Sequence, residues 1–181
     1  MKNNNLLLFC CLLAVPLLWG GCSWLKNDNA PLDPVERLPP ITTTGANTFG
    51  CLLNGEPWVV CGGFLETSRL SASYGYQSNM LRISGTRWCK ASRDNVLIAS
   101  TVDGPGLYEY RRAEYDNREI ECQDVLDPYR LLEGADNRLE ILRLDKENYI
   151  MSGTFQCTLV HAKCGDTIHI TEGRFDYKWA N

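Results

Sequence analysis

From Phe49 onward, apolar and polar residues alternate in short runs bounded by turn residues about every ten positions. Alternation at period two places successive side chains on opposite faces of a strand, so the pattern predicts β structure and not helix. Phe49 to Val60 carries Asn54-Gly55 between apolar flanks. Both residues tolerate positive φ, which predicts a first hairpin. Leu70 to Tyr76, Met80 to Cys89 and Asn95 to Val102 read as further strands, separated by Gln77-Ser78-Asn79 and by Ala91 to Asp94. Asp103-Gly104-Pro105-Gly106 then forces a turn.

Leu107 to Glu121 alternates tyrosine with charge, as an exposed or edge strand would, and breaks at Asp116-Asn117. Asp127 to Gly134 fits either a short helix or an irregular crossing, because Pro128 and Gly134 bracket it without a full helical period. Arg138 to Leu144, Tyr149 to Val160 and Thr167 to Tyr177 read as a meander of three strands. In the middle one, Phe155, Cys157 and Leu159 share one face and Thr154, Gln156 and Thr158 the other, so one side is core and the other wet. The expected fold is all-β, a single antiparallel domain of about eight to ten strands over 47–181, whose edges are hidden either in a barrel or in a sandwich.

The N-terminal third has a different texture. Residues 1–21 combine Lys2 with an apolar run from Leu6 to Trp19 that closes on Gly20, Gly21 and Cys22, the layout of an export signal. The run is about 14 residues, short of the roughly 20 needed to span a bilayer as a helix. Small residues before a cysteine resemble the lipobox of bacterial lipoproteins, with Trp19 where leucine is usual. The expectation is lipidation at Cys22, with the membrane as partner through that lipid. Residues 22–46 follow as a tether rich in Asn, Asp, Pro and Thr, since Pro31, Pro34, Pro39 and Pro40 break any helix or interior strand. Ser23 in place of an aspartate favours the outer membrane.

Charge and cysteine content narrow the picture further. Removing residues 1–21 takes away Lys2 and no acid, so 18 basic side chains become 17 against 22 acidic ones, a formal charge of −5. With no basic stripe to neutralise phosphates, nucleic acid is excluded as a partner class. Six cysteines lie beyond Cys22: Cys51, Cys61, Cys89, Cys122, Cys157 and Cys164. An even count outside the cytoplasm suggests disulfides, with 15 complete pairings open.

Two stretches, Thr48 to Trp58 (TFGCLLNGEPW) and Ser152-Gly153-Thr154-Phe155 with Thr171 to Asp176 (TEGRFD), resemble a family of small Bacteroidota lipoproteins of unknown function. The resemblance covers about 25 residues. It implies a single β-rich domain behind a lipoprotein signal and no particular activity. Read physically, Gly153 and Gly173 provide close backbone approach or a bulge, Phe155 and Phe175 supply core, and Arg174 and Asp176 share a face.

Candidate chemistry is sparse. His161-Ala162-Lys163-Cys164 with His169 raises a zinc site or a Cys-His nucleophile. Cys157, seven residues before Cys164 across a turn, offers a disulfide as the simpler reading. Carboxylates Glu109, Glu114, Glu119 and Glu121, with Trp58, Trp88 and Tyr110 as stacking platforms, sketch a glycosidase, but a solvated strand face explains them as well. No nucleophile elbow, phosphate loop or dinucleotide fingerprint occurs, and no metal or cofactor is expected. The expected role is a non-enzymatic binding or structural accessory module of the cell envelope with a protein or small-molecule partner. The alternatives are a lipocalin-like carrier and, behind it, a carbohydrate-active enzyme.

Overall fold

The computed structural model of the protein describes residues 33–61, 69–89, 92–117 and 127–179. The signal segment, Cys22, Glu119, Glu121 and Cys122 lie outside the described residues. The described part contains eleven strands: β1 (Thr48–Leu53), β2 (Glu56–Val59), β3 (Leu70–Gly75), β4 (Met80–Cys89), β5 (Ser92–Thr101), β6 (Gly106–Tyr108), β7 (Arg112–Asn117), β8 (Tyr129–Leu131), β9 (Arg138–Asp145), β10 (Ile150–Val160) and β11 (Thr167–Lys178). They form one antiparallel sheet in the order β2-β1-β11-β10-β8-β7-β5-β4-β3, with β9 also on β10 and β6 on β9. The sheet curls into a half-barrel. The count exceeds the expected eight to ten because β6 and β8 are three-residue strands with too little alternation to register.

Local sequence explains most of the register. Asn54 and Gly55 take positive φ and close the β1–β2 hairpin, in which Leu53 faces Glu56. Residues Asp127 to Gly134 hold the short strand β8 and no helix; Tyr129 pairs with Tyr115 and Leu131 with Leu159. Likewise β7 is not an edge, since it lies between β5 and β8. Its inward Ala113 and Tyr115 are buried, which a solvent-facing reading of the tyrosine-and-charge pattern did not foresee.

The concave face is filled with side chains. Phe49, Trp58, Ile83, Val96, Ile98 and Leu139 are completely inaccessible, and Phe155 and Phe175 pack beside them. Phe49 meets the Trp58 ring edge-on at 5.9 Å and lies 5.2 Å from Phe155. Gly173 and Gly153 permit this packing. A Cβ on Gly173 would stand 2.5 Å from the Phe155 carbonyl oxygen, and one on Gly153 would stand 2.3 Å from that of Glu140. Gly173→Ala is therefore expected to destabilise by about 2 kcal/mol, seen as a lower denaturation midpoint, while Gly104→Ala, which meets nothing within 4 Å, changes stability by less than about 0.5 kcal/mol.

The segment after β2, at one end of the strand order, reaches β4, next to the other end. Cys61 bridges Arg87 of β4, its carbonyl accepts the Trp88 N–H at 2.8 Å, and a disulfide joins Cys61 to Cys89. A crosslink 28 residues apart in sequence stabilises by roughly 3 to 4 kcal/mol through the unfolded chain.

The segment expected to be a free tether is docked from Leu38 onward, and we refer to Leu38–Asn47 as the strap. Leu38 is buried, and the ring of Pro39 lies over Gly50, where a Cβ would come within 2.8 Å of it. The Asp176 carboxylate of β11 accepts hydrogen bonds from Thr42 Oγ1 (2.6 Å) and from the N–H groups of Thr44 (2.9 Å), Gly45 (2.7 Å) and Ala46 (3.1 Å). Arg143 adds a bond from Nη1 to the Thr43 carbonyl at 2.7 Å. Prolines prevent the strap from entering the sheet, but one carboxylate satisfies its backbone instead.

Candidate functional site

The fold keeps one part of the constellation singled out in the sequence together, with Cys164 Sγ 3.0 Å from His161 Nδ1, and separates His169 from it. His161 continues the inward series of β10 and is completely buried, its ring edge-on to Tyr129 at 5.1 Å. His169 faces outward on β11, where its Nδ1 lies 3.3 Å from Thr158 Oγ1. The two imidazoles thus stand on opposite faces of the sheet. Cys164 is disulfide-bonded and holds no free thiol. Its N–H donates to His161 Nδ1 at 3.3 Å. Among the described residues no group of three or more potential ligands is arranged to hold a metal ion.

The expected Cys157–Cys164 bridge is not formed. Cys157 and Cys51 are free, buried thiols. Cys157 belongs to the inward row of Phe155 and Leu159, whereas Cys164 stands in the turn beyond the strand, so the two do not face each other across a hairpin. Burial pushes the Cys157 thiol up to about 12, and burial together with the neighbouring Cys157 raises Cys51 further. Neither is a nucleophile at neutral pH. Under denaturing conditions without reductant, alkylation followed by peptide mass mapping should label Cys51 and Cys157; Cys61, Cys89 and Cys164 should label only after reduction. Label on Cys61 or Cys164 before reduction would contradict these assignments.

The proposed stacking platforms are also separated. Trp58 is enclosed in the core, Tyr110 donates its hydroxyl to the carbonyls of Arg138 (2.8 Å) and Gln156 (2.9 Å), and Trp88 is covered on one side by the Arg93 guanidinium at 4.4 Å. Glu114 is held by Arg112 at 2.7 Å.

Two polar arrangements that the sequence did not flag remain. The first is internal. Arg87 of β4 grips Asp94 of β5 through both carboxylate oxygens, with Nε 3.0 Å from Oδ1. Tyr115 donates to Asp94 Oδ2 at 3.0 Å and accepts from Asn117 Nδ2 at 3.1 Å. The Arg87 guanidinium also lies 5.8 Å from the centre of the Trp58 ring. Burial, and then the adjacent Asp94 carboxylate, raise the Tyr115 hydroxyl far above its ordinary value. It stays a donor at any physiological pH. This network is next to the Cys61–Cys89 staple and closes one end of the core.

The second arrangement is on the outer face. At β11 the register against β1 slips between Gly50 and Leu52, and that against β10 slips between Phe155 and Cys157. The extra residue, Glu172, takes a φ of 52°. Bulges re-aim side chains, and this one turns Glu172 back onto Arg174, whose Nη2 lies 3.0 Å from Glu172 Oε2. Arg138 and Glu140 of β9, Gln156 of β10 and Ile41 of the strap complete an open depression of about 230 Å³. Ile41 is half exposed there.

Comparison with known proteins finds no matching family model, no matching curated protein and no matching solved structure. The site must be read from its own chemistry. Two arginines and two glutamates, each arginine beside its own acid, present donors and acceptors of both signs to a polar surface. The only clue to this site in the sequence was the pair of glycines flanking Phe155 and Arg174; the positive φ falls on a glutamate, which no turn rule anticipates.

Proposed function

We propose that the protein is a lipid-anchored envelope module, attached through Cys22 at the outer membrane, that binds a polar partner on its outer face and does no chemistry. The observation that carries the binding reading is the filled concave face. Phe49, Trp58, Phe155 and Phe175 occupy the space in which a lipocalin-like carrier would hold its ligand, so recognition falls to the outer surface. The depression at the β11 bulge is the best-built polar feature of that surface, because Arg174 is nearly buried and fixed by Glu172. The signal layout of residues 1–21, the cysteine that ends it and the Cys61–Cys89 disulfide support a compartment outside the cytoplasm. The resemblance to small Bacteroidota lipoproteins points the same way.

Two measurements test this. Cys22→Ser should move the protein from the membrane pellet to the soluble fraction; continued sedimentation with membranes would remove the lipid anchor. A photoreactive residue at Thr154, in the depression, should give a discrete adduct in intact cells, and one at Ser71, on a remote outward position of β3, should not. Equal labelling from both positions, or none from Thr154, would overturn the assignment of the binding face.

A further inference from the structure

Arg82 of β4, Ala99 of β5 and Arg112 of β7 are register partners and form one row across three strands on the convex face. Neighbouring strands lie about 4.8 Å apart, so the two arginines stand on the order of 10 Å from each other with the alanine between them. Arg111, whose N–H donates to the Ala99 carbonyl at 2.8 Å, brings a third guanidinium to the same place. Leu97 and Ala99 face outward yet are each only 8% exposed, and Met80 closes one end with 38% exposed. Together they shape a depression of about 300 Å³ with an apolar floor and a cationic rim.

Two of the three charges of this rim are unmet, since Arg112 is paired with Glu114 at 2.7 Å. Among the described residues, the guanidinium groups of Arg82 and Arg111 hold no carboxylate, whereas Arg87, Arg138, Arg143 and Arg174 each hold one. In a chain with 22 acidic and 18 basic side chains, cations left without an acid beside a greasy floor are not explained by a shortage of acids. Guanidinium forks match the planar oxygens of carboxylate and phosphate bidentately, and Leu97, Ala99 and Met80 match a hydrocarbon. We propose that this face of β4, β5 and β7 binds an amphiphile with an anionic head, the carboxylate or phosphate held by Arg82 and Arg111 and the first carbons of its tail lying on Leu97 and Ala99. The depression is at the small end of ligand sites, so it takes the head and a short length of chain. The site is on other strands than the bulge depression and does not depend on the lipid anchor.

The test is calorimetric titration of the full-length chain, in an uncharged detergent, with octyl phosphate, inorganic phosphate and octanol. Octyl phosphate should bind at least tenfold more tightly than either of the other two, and raising salt should weaken it. Arg82→Ala with Arg111→Ala should weaken binding tenfold or more with an unchanged thermal unfolding midpoint. Equal binding by the double variant, or by inorganic phosphate or octanol, would overturn the proposal. Sedimentation with phosphatidylglycerol against phosphatidylcholine vesicles separates the two sources of such a head. A preference for the anionic vesicles that the double variant loses assigns it to a membrane lipid. Octyl phosphate binding without that preference assigns it to a free amphiphile.

Discussion

Asp176→Ala should lower the free energy of unfolding by about 3 kcal/mol or more and release the strap. One carboxylate accepts from Thr42, Thr44, Gly45 and Ala46, and its removal leaves three backbone N–H groups without an acceptor at a position only 1% exposed. A bond to a charged acceptor contributes roughly 1.5–3 kcal/mol, and several sharing one carboxylate do not add in full. Asp176→Asn recovers little, because its NH₂ group faces donors. The measurement is denaturant unfolding combined with amide hydrogen exchange at Thr44, Gly45 and Ala46. A loss below about 1 kcal/mol with those amides still protected would contradict the strap geometry. The pH dependence has a definite sign. Burial works against ionisation of Asp176, but the bonds from Thr42, Ala46, Gly45 and Thr44 outweigh it and hold the carboxyl below its ordinary value. A carboxyl whose folded value is depressed contributes stability above its unfolded value, near pH 4, and loses it as pH falls through the folded value. The wild-type advantage over Asp176→Ala should therefore be constant at neutral pH and shrink only below about pH 4.

Arg87→Ala is expected to cost about 3 kcal/mol, since it strands the Asp94 carboxylate, whose side chain is inaccessible, with Tyr115 as its remaining side-chain donor. The lower end of the range for broken buried pairs applies because the Arg87 side chain is 27% exposed and water reaches it. Asp94→Ala should cost a similar amount by leaving the guanidinium and the Tyr115 hydroxyl without their acceptor. Both replacements together should cost at least about 1.5 kcal/mol less than the two single losses added, measured as a double-mutant cycle in denaturant. Strict additivity would show that the pair is not coupled and that the Trp58 contact alone holds Arg87 in place.

These two predictions rest on the features least visible in the sequence, for a physical reason. Asn54-Gly55 announces its hairpin because the conformational demand and the residues that meet it are adjacent. The row Phe155, Cys157, Leu159 shows its inward face because period two is a local property. Met80 to Cys89 was legible as one strand because its alternation runs unbroken. Asp176 finds its partners 130 or more positions away, and its side chain has the same chemistry as any solvated aspartate of a strand face. Arg87 and Asp94 are seven residues apart, yet only the β4–β5 register shows that both point inward. Pro128 and Gly134 suggested a helix or crossing where β8 pairs with two strands, because three residues are too few to display a period. The pairing of cysteines failed differently: proximity in sequence favoured Cys157 with Cys164, but the alternation that correctly placed Phe155 and Leu159 in the core also places Cys157 there, away from the turn. The bulge site was half visible. Gly173 signalled close approach, but the residue that bends the strand is Glu172.

The strap gives the molecule a defined way of carrying tension. A pull on the chain N-terminal to Leu38 passes through the backbone of the strap into β1, and in parallel through the Asp176 carboxylate into β11. Both strands lie in the long-strand part of the sheet, where β1 pairs with β11 and β11 with β10 over nearly its full length. The load is therefore shared by two strands before the first inter-strand bond has to yield. Such an arrangement resists peeling of the N-terminal hairpin, and removing the Asp176 carboxylate would leave the strap on the bonds of Arg143 to the Thr43 carbonyl and of the Lys178 N–H to Asn47 Oδ1.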